Sequence, residues 1–251
     1  MTKNLTKDET NHDIYHIAID GPVASGKGTI ARELSDRLGI PCLDTGAMYR
    51  GVAVYVRNKK LDENNEKAVT TALKGIKMDV EIKLGTTYVK VNGVDVTSEL
   101  RDNDTTRISS IIATYPAVRE FAIAQQQAIA KTSSFILEGR DIASAVLPNA
   151  KYKFYLTAKV KARAKRRVAD FAAKGEIISL RDMMKQIKER DERDMTKGGL
   201  KQVPEAIVID STRHNNNVRK TVDAFMKHLI NARISEQENK PKRYLTNTTE
   251  K

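Results

Sequence analysis

Residues 15–39 read YHIAIDGPVASGKGTIARELSDRLG, and this stretch decides the fold. Residues 15–20 are short, carry β-branched isoleucines and end at Gly21-Pro22, which predicts a buried strand. Residues 27–38 put Ile30, Leu34 and Leu38 on one helical stripe, and Gly39 stops the helix. Between them, Gly21-Pro22-Val23-Ala24-Ser25-Gly26-Lys27-Gly28-Thr29 matches G-x-x-x-x-G-K in the strand–loop–helix setting that gives the pattern its meaning. Glycines let the backbone turn its N–H groups toward one point, the helix N-terminus adds partial positive charge, and Lys27 brings a mobile full charge for the outer phosphates of a nucleotide. The residue after Lys27 is Gly28 rather than Ser or Thr, so the hydroxyl that usually meets magnesium is displaced to Thr29. This Gly-Lys-Gly-Thr form points to phosphotransfer on small molecules rather than to GTPase switches or nucleic-acid motors.

Working outward, strands are expected at 40–43, 134–137, 152–156 and 206–209. Helices are expected at 46–58 (Met48, Val52 and Val56 inward), 116–131, 159–174, 180–195 and 217–232. Pro116 suits the first turn of its helix. The stretch 62–105 differs: strands at 77–84 and 88–91 flank a Gly85-Thr86-Thr87 turn, and Asn92-Gly93 marks a second turn, so it reads as a small β-rich insertion. No internal repeat is visible. Strands alternating with helices predict an α/β fold, a doubly wound parallel sheet whose ligands gather at the carboxyl ends of the strands. Those ends carry 21–29, 44–50 and 139–141. A polar arm (1–13) and a polar tail from Ser235 are expected to be disordered around a domain at 14–234, and the basic residues Lys240, Lys242 and Arg243 read as a solvated terminus.

Composition narrows the function. The 251 residues suffice for one large domain, and 40% hydrophobic with 30% charged residues describes a globular chain. No apolar run approaches the ~18–20 residues that cross a bilayer. A single cysteine, Cys42, excludes an intramolecular disulfide framework and a Cys-cluster zinc site. With a polar start lacking the apolar core of a secretory signal, the expectation is a cytoplasmic protein. The net charge is +12, and residues 151–201 hold 16 Lys/Arg against 7 Asp/Glu. Such a focused field suits a compact polyanion such as a nucleoside triphosphate. Aromatics are only 5% and do not interleave with the basic residues, which disfavours a base-stacking nucleic-acid platform.

Three further clusters carry chemistry. Asp44-Thr45-Gly46-Ala47-Met48-Tyr49-Arg50 follows the second strand; Asp44 or Thr45 could cap the helix, and Arg50 could reach back over the sheet edge or lie on the surface. Glu138-Gly139-Arg140-Asp141 ends a strand; Arg140 could grip phosphate bidentately, and Asp141 could accept from a base amino group or orient an arginine. Residues 188–194 (KERDERD) alternate charge, most simply a solvated ion-pair face, and Arg163, Arg166 and Arg167 share one helical face. His12, His16, His214 and His228 are scattered, with no nucleophilic arrangement. Phosphoryl transfer between bound nucleotides needs positioning and charge neutralisation instead.

IAIDGPVASGKGT, LDTGAMYR, YPAVRE, LEGRDIASAVLP, KERDERD and AIVIDST, in that order, resemble bacterial cytidylate kinases over roughly residues 15–230. The DTGAMYR and EGRD blocks make the resemblance specific. It implies transfer of the γ-phosphoryl of ATP to CMP or dCMP with Mg²⁺. It implies a core with a nucleoside-monophosphate-binding insertion at 62–105 and a short helical lid at 163–200. By motif, Gly21 to Thr29 would hold ATP phosphates. Arg50 and Arg140 would grip the monophosphate, and Thr45 would stand where a serine is common in the family. Ser110, Arg119 and Asp141 would read cytosine, and Arg190 and Asp194 would meet the ribose and the closing lid. Arg163, Arg166 and Arg167 would neutralise the transferring group, with Lys27, Arg140 and Arg190 the catalytic charges and the metal ligands open. Lys197 stands where the family pattern has a further arginine, and 195–203 (MTKGGLKQV) departs from it. A monomer is implied. The competing readings are a kinase for UMP, AMP or a non-nucleotide acceptor, and an RNA-binding assembly factor.

Overall fold

The computed structural model describes residues 14–83, 85–212 and 218–238. The strands β1 (His16–Asp20), β2 (Cys42–Asp44), β6 (Phe135–Gly139), β7 (Tyr152–Thr157) and β8 (Ile207–Asp210) form one sheet in the order β2-β6-β1-β7-β8. Every pairing in it is parallel, with Ile17 opposite Ile136 and Tyr152, and Phe154 opposite Ile207. This is the expected doubly wound α/β sheet. Alternation along the strands separates two cores. Ile17, Ile19, Ile136 and Phe154 face α1 (Lys27–Leu38) and α8 (Val218–Glu238), whereas Ala18, Leu43 and Leu137 face the opposite side. Both faces being covered explains why the strands read as apolar runs rather than alternating ones.

α2 (Thr45–Asn58) leaves β2 and supports the insertion. There, β3 (Met78–Lys83), β4 (Thr86–Val91) and β5 (Val94–Asp95) form an antiparallel sheet, preceded by α3 (Glu66–Ala72). It is followed by α4 (Asn103–Ile112) and α5 (Pro116–Ala130). α6 (Val160–Ala172) and α7 (Leu180–Thr196) pack together through Ala164, Met183 and Ile187, against Val23 and Ala24 of the phosphate-type loop.

Several boundaries differ from expectation for physical reasons. β2 starts at Cys42 rather than 40: Pro41 lacks an N–H, and its carbonyl accepts from Ile136 at 2.9 Å. Thr86 and Thr87, expected in a turn, open β4, where β-branched residues are at ease, and Lys83 pairs with Thr86. α3 and α4 were not expected from periodicity. α3 is capped by Asn65, which accepts from Ala68 N, and α4 turns Thr105, Ser109 and Ser110 inward beside Ile108 and Ile112, hiding the apolar stripe. α8 runs on to Glu238, past residue 232. The arm 1–13, His214 and the basic residues of the tail lie outside the described residues.

Candidate active site

The carboxyl ends of β1, β2 and β6 open into one cavity of about 630 Å³, walled by the loop after β1, by α2, α4 and α5, and by α6 and α7. On one side lies the loop 21–29. Gly21 has a φ of 150°, and a Cβ there would run into the Leu156 carbonyl of β7, so only glycine lets the loop leave β1 in this direction. Val23, Ala24, Gly26, Lys27, Gly28 and Thr29 face the cavity. Lys27 is buried and donates to the Gly21 and Pro22 carbonyls at 2.8 and 2.9 Å. Burial, then the Arg140 charge, push its pKa down to about 7, against the pull of Glu138 and Asp20.

The opposite side is built from paired charges. Arg50 on α2 donates to Asp44 at 2.7 Å, Arg140 to Asp194 at 2.7 Å, and Arg119 on α5 pairs with Asp141. Burial pushes Asp44 up, but Arg50 and Arg101 outweigh it and hold the carboxyl below its usual range. Asp44 sits at the N-cap position of α2 without capping it through its side chain, and Thr45 donates instead to the Glu138 carbonyl at 2.7 Å. Burial raises the Asp141 carboxyl in spite of Arg119. Arg190 Nε lies 3.9 Å from Asp194, and burial with the nearby Arg140 lowers its pKa to about 10. Arg50 Nε, Arg190 Nε, Ser110 Oγ and Tyr49 OH are buried cavity-wall atoms without a hydrogen-bond partner among the described residues. Such groups are costly unless something polar meets them.

Behind this wall, Asp20 at the end of β1 is 1% exposed and accepts from Ile142 N and Ala143 N, both at 2.8 Å. It fixes the π-helical turn Ile142–Val146 that follows Arg140 and Asp141. Burial raises its pKa to about 6 despite these two hydrogen bonds.

Comparison with known proteins shows the family of the chain. A family model described as cytidylate kinase matches residues 17–231. The chain belongs to the cytidylate kinase family. A cytidylate kinase of Geobacillus sp. (strain WCH70) is 39% identical over 220 residues, covering 87% of this chain and 97% of that relative. One of Symbiobacterium thermophilum is 37% identical over 84% of this chain and 94% of the relative. One of Caldicellulosiruptor bescii is 38% identical over 78% and 88%.

Of the residues that the resemblance to cytidylate kinases implies, the cavity gathers Thr45, Arg50, Ser110, Arg119, Arg140, Asp141, Arg167, Arg190 and Asp194 with the loop residues named above. It does not gather Gly21, Pro22, Ser25, Arg163, Arg166 or Lys197. The three arginines of α6 part company. Arg167 faces the cavity with its guanidinium 5.0 Å from the Phe171 ring centre. Arg163, buried, pairs bidentately with Asp191 at 3.0 and 2.6 Å and donates to the Val23 and Ala158 carbonyls. Arg166 donates to Ser25 O at 3.2 Å and Ser211 O at 2.7 Å. These two therefore brace the loop from behind. Lys197 caps the end of α7 and is exposed.

The cavity also holds residues the sequence reading left without a role: Tyr49 and Glu138, inside motifs already singled out, and Arg32 and Arg101, which no motif marked. A Cβ on Gly28 would come within 3.1 Å of Glu138 Oε1. Burial and then the Asp44 charge raise the Glu138 carboxyl, with Lys27, Arg140 and Arg50 opposing.

Proposed function

We propose that the chain transfers the γ-phosphoryl group of ATP to CMP or dCMP, yielding ADP and the cytidine diphosphate. The observation that carries this reading is one cavity with a phosphate-type loop on one side and, on the other, arginines beside a polar pocket of Ser110, Arg119, Asp141 and Tyr49. Loop N–H groups and Lys27 hold the donor's β- and γ-phosphates. Arg50, Arg140 and Arg190 converge on the acceptor phosphate. Its oxygen attacks the γ-phosphorus in line while the bond to the β–γ bridging oxygen breaks and its electron pair leaves with ADP. The acceptor phosphate is already anionic at neutral pH, so no protein base is required. The arginines hold two polyanions within bonding distance and spread the charge of the transferring group. Arg167 faces that group, whereas Arg163 and Arg166 act through the loop.

The polar pocket supports cytosine as the base. Asp141 is acceptor-only when ionised, suited to the exocyclic amino group, while Arg119 and Ser110 offer donors to the ring nitrogen and carbonyl. Uracil presents a carbonyl where cytosine has the amino group, so it would face Asp141 with the wrong polarity. For Mg²⁺ the fit is favourable: Thr29 and Glu138 supply hard oxygen donors at the loop, the sparse set this ion takes when phosphates and water fill its other positions. The ion would neutralise phosphate charge there. We take the chain to act as a cytoplasmic monomer; its single cysteine, Cys42, is buried and so offers no exposed thiol for a disulfide-linked dimer.

The test is ADP release with ATP and Mg²⁺ against CMP, dCMP, UMP and AMP in parallel. Turnover led by CMP or dCMP is expected; turnover led by another acceptor would overturn the base assignment.

A further inference from the structure

The segment after α7, Lys197-Gly198-Gly199-Leu200-Lys201, has no part in the reaction as described above, although Gly198 lines the cavity. Its backbone is nevertheless closely engaged. Gly198 N donates to Arg193 O at 2.9 Å and Leu200 N to Asp194 O at 2.8 Å, so the segment folds back onto the last turn of α7. Leu200 and Val203 are buried and anchor the chain beyond the turn. A Cβ on Gly198 would lie 2.8 Å from Asp194 Cα. Gly199 has a φ of 78°, and a Cβ there would sit against the Arg119 guanidinium, 2.7 Å from Cζ and 2.8 Å from Nη1.

Arg119 reciprocates. Its Nη1 donates to the Gly198 carbonyl at 2.7 Å, and its Nη2 pairs with Asp141. The planar guanidinium thus has a carbonyl on one arm, a carboxylate on the other, and a bare glycine against it. Two fixed arms orient a rigid fork, and Arg119 lines the cavity. Lys201 N also reaches the Arg140 carbonyl at 3.4 Å.

We propose that the Gly198–Gly199 turn is a specificity-determining positioning element: it holds Arg119 in the one orientation that reads the acceptor base. Gly199 supplies the room and the left-handed backbone, and the Gly198 carbonyl supplies the second hold. Asp141 alone would leave the guanidinium free to swing about one contact. This rests on the proposed cytosine-reading role of Arg119.

The experiment is steady-state kinetics of Gly199→Ala, with CMP and ATP varied separately. Misplacing a recognition group by about an ångström costs on the order of 10²-fold. The CMP KM is therefore expected to rise by roughly tenfold to a hundredfold, while the ATP KM stays at the wild-type value. On an Arg119→Ala background, Gly199→Ala is expected to add nothing to the CMP KM, because the residue it acts through is gone. A purely structural role would add the same penalty in both backgrounds. Gly39→Ala is the control for backbone strain: it has a φ of 68° and nothing within 4 Å of its Cβ, so it should leave the CMP KM unchanged. Gly199→Asn carries a Cβ yet tolerates left-handed backbone, and keeps the test open if the alanine variant folds poorly. A wild-type CMP KM in Gly199→Ala, equal rises for CMP and ATP, or additivity with Arg119→Ala would each overturn the proposal. Failure of the wild type to phosphorylate CMP would instead sink the functional reading, and the same series on whichever acceptor is used would still test the turn.

Discussion

On the proposed reading the cavity has a donor wall and an acceptor wall, and the two are made of different materials. On the donor side the loop 21–29 presents backbone, and Lys27 is held by two carbonyls of its own loop. On the acceptor side each of Arg50, Arg119 and Arg140 already has a carboxylate partner: Asp44, Asp141 and Asp194. A backbone cradle has its geometry fixed by local chain conformation and reads only phosphate. Paired arginines have their orientation fixed by tertiary neighbours and can read both charge and shape, with part of their charge already neutralised. Among the described residues Arg190 is the exception: its contact to Asp194 is 3.9 Å long, and burial beside Arg140 lowers its pKa to about 10.

If the two walls serve different substrates, single changes should separate them. Lys27→Ala is expected to cost the most, at least on the order of 10²–10³-fold in kcat, with the far-UV spectrum unchanged. Retained turnover would remove the donor assignment. Asp141→Ala should raise the CMP KM by roughly 10- to 100-fold, the scale of one charged hydrogen bond, and leave the ATP KM where it was. An equal loss for both nucleotides would mean that the walls are not separate.

The same division explains what could be read in advance. The donor wall lies within nine contiguous residues, Gly21 to Thr29, whose pattern states its own conformation and six of which line the cavity. The acceptor wall draws Arg50 from α2, Ser110 from α4, Arg119 from α5, Arg140 from the end of β6 and Asp194 from α7. No local rule joins residues so far apart, and only their resemblance to cytidylate kinases named them together. Spacing put Arg163, Arg166 and Arg167 on one face of α6, but spacing cannot say which part of that face meets the loop and which meets the cavity. α4 escaped because its inward face carries Thr105, Ser109 and Ser110, and Ser110 faces the cavity. The sheet itself was legible, because each strand is a short apolar run, and a glycine directly follows β1 and closes β6.

The split within α6 sharpens the comparison further. Arg167→Ala should lower kcat by on the order of 10²-fold, the scale of one lost donor at the transferring group, without shifting the denaturation midpoint. Arg163→Met should do the reverse. It strands the buried Asp191 carboxylate and frees two carbonyls, so stability to urea should fall by about 3–5 kcal/mol. If Arg163→Met unfolds at the wild-type midpoint yet loses turnover, Arg163 belongs to the cavity wall after all.

The smallest expected effect concerns Asp20, which serves neither wall directly but ties β1 to the turn after Asp141. Its native pKa of about 6 lies above the value of 3.8 for the unfolded chain. Between those values the native state binds more protons than the unfolded one, so this group's contribution to stability is fully present below about pH 4 and is lost as pH rises through about 6. The slope from this one site approaches about 1.4 kcal/mol per pH unit at most. Asp20→Asn removes the titration while keeping one oxygen to accept from Ile142 or Ala143. Between pH 4 and 7 the urea midpoint of the wild type should therefore fall relative to that of Asp20→Asn as pH rises. A constant gap across that range would show that Asp20 holds its two N–H groups as an ordinary ionised carboxylate, and that the turn behind the acceptor wall does not feel the proton.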